Sequence, residues 1–317
     1  MIDTLNMRCE RSLFGSNTPL SVCSHIDIER EGIMASGEHY AVGHVRNYRV
    51  YADERRVRLS GSIAKMIGGT NIIRLSRKEV CDGIEFLSDE LHLNIGNAVV
   101  SRVDVANTFG VDESPDAYIE QMMSREGMIR ASVGTNTLYF ASKKSVLCFY
   151  DKGAEIVERG GELPLWATMG QRQGLLRYEL RLVANIGHQI GLKRTITASD
   201  ITQPDTWVRL VNLWAEEYRN IEKNATMRIS AANTAREAFM AIYADMLGHS
   251  PAGYLQKAID LTKCRTMTKK ERYRLRQMIK EAENICLYTK LNTMVEKVRT
   301  EEMQDVDQAL NRQKSTQ

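Results

Sequence analysis

The sequence predicts a mixed α+β domain followed by a helical one, and three observations lead there. Up to about residue 195, short strand-like runs with alternating polarity are interleaved with a few helical stretches. From Pro204 onward, apolar residues recur at helical spacing almost to the end. Two capping-box signatures, Ser76-Arg77-Lys78-Glu79 and Thr268-Lys269-Lys270-Glu271, stand where helices should begin. The boundary falls near 195 to 203, which divides the chain into an α+β unit (1–196), a helical unit (197–303) and a polar tail (304–317) expected to fray.

In chain order, Val57–Ile63 and Thr70–Leu75 read as short strands around Gly68-Gly69. The Ser76 capping box opens a helix over 77–92, with Val80, Ile84, Leu87 and Leu91 on one face. Residues 98–107, 137–141, 145–151 and 175–183 are strand-like, and 114–125 reads as a helix among them. In the second unit Trp207, Leu210, Val211, Trp214 and Tyr218 mark one apolar helix face, and Ala238, Ile242 and Met246 another. Gly248-His249-Ser250-Pro251 interrupts the run.

With 43% hydrophobic and 26% charged residues, the composition is that of a globular protein rather than a disordered one. No apolar run approaches the ~20 residues a bilayer-spanning helix needs, and the start lacks a secretory pattern, so a cytoplasmic location is expected. The six cysteines are scattered without C-x-x-C pairing, which argues against a zinc site. A net charge of +3 does not by itself identify a polyanionic partner.

Side-chain alternation along three predicted strands sends chemistry to one side. In Ser101–Asn107, Val103 and Val105 face a core while Asp104 points away beside Arg102 and Ala106. In Leu176–Leu182, Leu176, Tyr178, Leu180 and Leu182 face the core, and Arg177, Glu179 and Arg181 share the opposite face. In Val146–Lys152, Leu147 and Phe149 are core positions, leaving Tyr150 and Lys152 as neighbours on the other side. Pairing these strands would gather a nucleophile, two carboxylates and several cations. A phenol with a pKa of ~10 needs activation, and two carboxylates can hold a hard divalent ion that polarises a phosphate. Lys152 could lower the phenol pKa, and Arg177 and Arg181 could grip flanking phosphates. A second reading stands beside this one: Asp104 and Glu179 simply pair with Arg102, Arg177 and Arg181, and Tyr150 decorates a strand end. Asp151 and Glu155 are expected on an exposed turn before Gly160-Gly161.

At these residues the sequence resembles the filamentous-phage replication initiators of the gene II/X type, and more distantly the plasmid initiators of the trans-acting Rep type. The blocks carrying the resemblance are Met1–Leu5, Gly61–Lys65 with Gly68–Asn71, S-R-V-D-V at 101–105, T-L-Y-F-A-S-K-K-S-V-L-C-F-Y-D-K-G at 137–153 and L-R-Y-E-L-R-L at 176–182. The ordered set, spanning roughly 1–195, is what is specific. The resemblance implies a central antiparallel sheet with helices on one face. It also implies an enzyme that nicks one DNA strand at a rolling-circle origin, stays attached through a 5′-phosphotyrosine and later rejoins the strand. It places the nicking tyrosine on Tyr150 with Lys152 beyond it, and the acidic metal positions on Asp104 and Glu179. The His-hydrophobic-His strand of the broader relaxase group is missing, so the implied cofactor is a hard divalent ion, Mg2+ or Mn2+. Implied partners are origin DNA, duplex and single-stranded, and a bacterial host's helicase or polymerase. Two transesterifications also require a second nucleophile: Tyr150 of a second copy in a homodimer, Tyr139, or an activated water.

The densest basic stretch lies at 263–280, where Arg272 and Arg276 share a helix face, as do Lys270 and Arg274. With Lys269 they are candidate phosphate contacts, each neutralised phosphate adding ~0.9 to the salt slope of duplex binding. Lys143 and Lys144 are further candidates. Two rival functions remain at this point: a non-catalytic DNA-binding regulator with the same fold, and a conjugative relaxase.

Overall fold

The computed structural model describes residues 1–15, 17–165, 174–223, 268–270, 273–274, 277 and 287–315. Ten strands form one antiparallel sheet: β1 (Ile2–Glu10), β2 (Asp27–Ile33), β3 (His39–Val45), β4 (Tyr48–Asp53), β5 (Arg56–Ser60), β6 (Val99–Val111), β8 (Ile129–Val133), β9 (Thr137–Ala141), β10 (Ser145–Asp151) and β11 (Gly174–Leu182). Their spatial order is β2-β3-β4-β5-β1-β6-β11-β10-β9-β8. A separate ribbon pairs β7 (Met122–Arg125) with β12 (Ile221–Lys223). The helices are α1 (Ile63–Gly68), α2 (Arg77–Leu91), α3 (Pro115–Ile119), α4 (Lys152–Glu158), α5 (Ile186–Gln189), α6 (Ala198–Ile201), α7 (Pro204–Arg219) and α8 (Leu287–Ser315). The expected α+β class is therefore what the chain adopts.

The four strands with the clearest period-two pattern are consecutive neighbours, β6-β11-β10-β9. Their inward residues, Val103, Val105, Leu147, Phe149, Leu176, Tyr178, Leu180 and Leu182, are almost fully buried, each aliphatic one contributing on the order of 1.5–3 kcal/mol. Helix α2 starts at the expected capping box, with the Ser76 amide donating to Glu79 and the Ser76 hydroxyl accepting from the Glu79 amide. Its predicted apolar face is the buried one.

Three expectations before residue 126 are corrected. The strand expected over 57–63 stops at Ser60; Gly61 packs so closely on Tyr48 that a Cβ would lie 2.7 Å from the ring, and Ser62 then caps α1. Residues 70–75 are irregular rather than a strand, because their polar groups are drawn elsewhere: the Asn71 carbonyl accepts from Arg177 and its side-chain amide donates to Asp3. The helix expected over 114–125 ends at Ile119, and Met122–Arg125 pairs instead with β12, a partner remote in sequence.

The aromatic face of α7 is buried as expected, but against the sheet. Tyr178 stacks between Phe149 and Trp214 at centroid distances of 4.6 and 5.1 Å, and its hydroxyl donates to the Trp214 carbonyl. Leu291, Val295 and Val306 of α8 belong to the same continuous core. Helix α8 runs to Ser315, so the tail expected to fray after 303 is helical, held in part by buried Val306. Ala238, Ile242 and Met246 lie outside the described residues. No described helix is long and apolar enough to cross a membrane.

Candidate active site

The sheet face opposite this core is where the polar residues meet. Strand register aligns them in three rows: Asp104 across from Arg181 and then Val146; Ala106 from Glu179 and Cys148; Thr108 from Arg177 and Tyr150. Asp104 and Tyr150 are thus diagonal neighbours of Glu179 on the two flanking strands, within side-chain reach.

Glu179 is the hub. One carboxylate oxygen accepts the Tyr150 hydroxyl at 2.9 Å and Arg177 Nε at 2.6 Å, and the other accepts Arg181 Nε at 2.9 Å. Burial by itself would raise the Glu179 pKa, but Arg177 and Arg181 outweigh it and hold the group at about 2. Asp104 takes a two-pronged contact from Arg102, at 2.7 and 2.6 Å. Its burial outweighs that guanidinium, so its pKa is raised. The half-buried Tyr150 phenol is also pushed up, by burial first, with Arg177 opposing and Glu179 and Glu155 reinforcing the rise.

A carboxylate that did not stand out in the sequence completes the cluster. Asp3 bonds Arg177 Nη2, Asn71 and the Ser62 hydroxyl. The register of β1 against β6 slips between Ile2 and Leu5, so two residues of β1 stand opposite one of β6. This bulge turns Asp3 toward the polar face. The one available signal was the broken spacing of the apolar Ile2 and Leu5 around an acid.

The match that identifies the chain covers every one of these residues. The family description is the N-terminal part of the phage replication-associated protein of gene II, and it spans residues 1–207. The chain belongs to that family. No curated protein matches it. In this gene II-type replication protein, the matched span takes in the whole ten-stranded sheet and the first turn of α7.

The remaining candidates of the replication protein separate by position. Lys152 is not a strand neighbour of Tyr150, because Asp151 caps α4 and Lys152 opens it. Its buried ammonium bonds Glu155 at 2.5 Å and lies 5.7 Å from the Tyr150 ring centre; burial lowers its pKa against the pull of Glu155. Asp151 and Glu155 are accordingly structural partners rather than residues of an exposed turn. Arg177 is 2% exposed, and its donors are taken by Glu179, Asp3, Thr108 and the Asn71 carbonyl. Its expected grip on DNA phosphates therefore gives way to an internal positioning role. Arg102 and Arg181 keep side-chain exposures of 34% and 26% and face outward. Lys143 and Lys144 are exposed on the β9–β10 turn, and Lys269 and Lys270 are exposed in a helical turn. Arg272 and Arg276 lie outside the described residues.

The oxygen donors of Asp104 and Glu179 have the hardness that Mg2+ or Mn2+ prefers. Yet both carboxylates are committed to guanidinium groups, and among the described residues no three Asp, Glu, His or Cys side chains gather to hold an ion. As arranged, the donor set does not fit a metal.

Proposed function

We propose that this replication protein initiates rolling-circle DNA replication by nicking one strand at a phage or plasmid origin through Tyr150 and later rejoining the displaced strand. The observation that carries the reading is the hydrogen bond from the Tyr150 hydroxyl to an arginine-clamped Glu179 on the polar face of the sheet. In the nicking step the Tyr150 oxygen attacks the scissile phosphorus. The new P–O bond replaces the bond to the 3′-oxygen, the phenol proton passes to solvent and the departing 3′-oxygen takes one from solvent, so that no proton is gained or lost overall. The products are a 5′-phosphotyrosine and a free 3′-hydroxyl, a primer for a host polymerase acting with a helicase.

Glu179 is too weak a base to store that proton, so its role is to orient the phenol. Arg102 and Arg181, partly exposed and fully ionised, are placed to balance the charge that builds on the phosphate. Arg177 holds Glu179 from beneath through Asp3 and Asn71.

The test is incubation of supercoiled DNA carrying the flanking origin region, with and without Mg2+ or Mn2+. Nicked circles bearing covalently attached protein are expected, and Tyr150→Phe should give neither. An adduct that persists in Tyr150→Phe refutes the assignment. One observation favours a second reading, a non-catalytic DNA-binding regulator: the acids are neutralised and the phenol is held protonated. That reading predicts binding without an adduct under every condition.

A further inference from the structure

The three rows continue past Tyr150 across two more strands, and their character changes there. Beyond Val146, Cys148 and Tyr150 come Ala141, Tyr139 and Thr137 on β9, then Ile129, Ala131 and Val133 on the edge strand β8. Ile129 is 76% and Val133 62% exposed, and the Tyr139 ring between them and the cluster is only half-buried. The opposite face of β9 carries Leu138 and Phe140, both fully buried. The exposed patch is therefore not a spill-over from the core. β-branched residues held in water around an aromatic ring, on the working face of a sheet, mark a contact surface.

We infer that this outer half of the sheet is a platform for the bases of single-stranded DNA flanking the scissile phosphate, with Tyr139 as its stacking ring. Three features fit that occupant. The patch is continuous with Tyr150: β9 and β8 lie one and two strands away, ~5 and ~10 Å across the sheet, the reach of a dinucleotide. Its borders are cationic, with the Arg181 guanidinium 5.8 Å from the Tyr139 ring centre and exposed Lys143 and Lys144 on the adjoining turn. An aromatic ring on an apolar sheet bordered by cations suits unpaired bases, whose faces are apolar and whose backbone is anionic. A duplex hides those base faces, so the platform selects the single strand.

The inference rests on the proposed nicking at Tyr150, and it is read through binding so that the two can fail separately. In the Tyr150→Phe background, where no adduct should form, affinity for a 2-aminopurine-labelled single-stranded oligonucleotide is measured by anisotropy and quenching. Tyr139→Ala is expected to weaken binding by about 5- to 100-fold and to abolish quenching. Tyr139→Phe should keep both, and duplex affinity should be unchanged. Ile129→Asp should lower single-strand affinity without altering the sedimenting mass. Circular dichroism checks folding, and Tyr139→Leu, which keeps the buried part of the side chain filled, replaces the alanine variant if that one unfolds; its expected loss is the same. The platform is overturned if Tyr139→Ala, or Tyr139→Leu in its place, binds as tightly as the parent. It is overturned equally if Tyr139→Phe loses as much as Tyr139→Ala, since the hydroxyl would then be the active part. A change of mass with unchanged DNA affinity in Ile129→Asp assigns the patch to a second copy of the chain instead.

Discussion

Replacing Glu179 by Gln removes one negative charge from a site where three cationic nitrogens and a phenol converge. Arg177 Nε, Arg181 Nε and Nη2 and the Tyr150 hydroxyl all lie within 2.9 Å of its oxygens, and the side chain is 5% exposed. Breaking a buried pair from one side costs about 3–5 kcal/mol. Here Arg177 keeps Asp3 and Arg181 keeps some solvent, which points to the lower end. The same figure follows from titration: a fall from ~4.3 in the unfolded chain to about 2 in the fold corresponds to about 3 kcal/mol. At about 2–4 °C per kcal/mol for a domain of this size, the variant should melt about 6–12 °C below the parent at neutral pH. The sign is fixed by the depressed pKa. Glu179 stabilises the fold above its unfolded pKa, and that contribution disappears as pH falls toward 2. The two melting curves should therefore converge between about pH 4.5 and 2. Thermal unfolding followed by circular dichroism across this range decides it. Equal melting temperatures at neutral pH, or a gap that acid leaves unchanged, would refute the hub role of Glu179.

The raised phenol pKa of Tyr150 predicts that single-turnover nicking rises about tenfold per pH unit through neutrality, because the phenolate is scarce there. Rapid-quench assays on labelled origin DNA would show it, and a plateau below about pH 8 would contradict it. Arg102→Ala frees both Asp104 oxygens, so calorimetric titration with Mn2+ should show binding that the parent lacks; identical titrations would mean that the arginine is not what keeps an ion out. Glu302 is buried, accepts from Trp207 Nε1 at 2.9 Å and pairs with Arg74 at 3.0 Å, a few residues from Asn71. Glu302→Ala should lower stability by about 3–5 kcal/mol in urea unfolding, and an unchanged midpoint would show that α8 is not anchored there.

The parts of the fold that could be read from the sequence are those whose local pattern and tertiary role agree. β9, β10 and β11 alternate cleanly because one face packs apolar side chains into the core and the other carries the polar ones. Ser76 and Glu79 announce α2 because a capping box is complete within four residues. Where long-range contacts took over, local pattern misled. Ile72, Ile73 and Leu75 look like a strand, yet Ile73 is 61% exposed and the backbone beside it serves Arg177. β7 forms only because β12, about a hundred residues later, supplies its partner. In the site, Asp104, Tyr150 and Glu179 followed from alternation, whereas Asp3 depended on a bulge and Asn71 on an irregular segment. The alternative of arginine-paired acids was also present in the sequence. Which arginine meets which acid required the register.

That pairing bears on how the site would discriminate its substrate. Asp3, Asp104 and Glu179 face Arg102, Arg177 and Arg181, so the cluster is neutral before the Lys152–Glu155 pair, itself balanced, is added. A passing phosphate meets guanidinium groups already satisfied by carboxylates, and it must take Arg102 or Arg181 from a partner less than 3 Å away. Only a strand held in place by other contacts can make that exchange at little cost, because its ordering entropy has been met before the phosphate arrives. The buried Arg177 cannot take part, and so it keeps Glu179 in position while the outer pair is exchanged. On the proposed nicking role, arginine-paired acids and a phenol kept protonated would describe a resting site, in which drawing Arg181 away from Glu179 would also disturb the Tyr150 hydrogen bond to the same carboxylate.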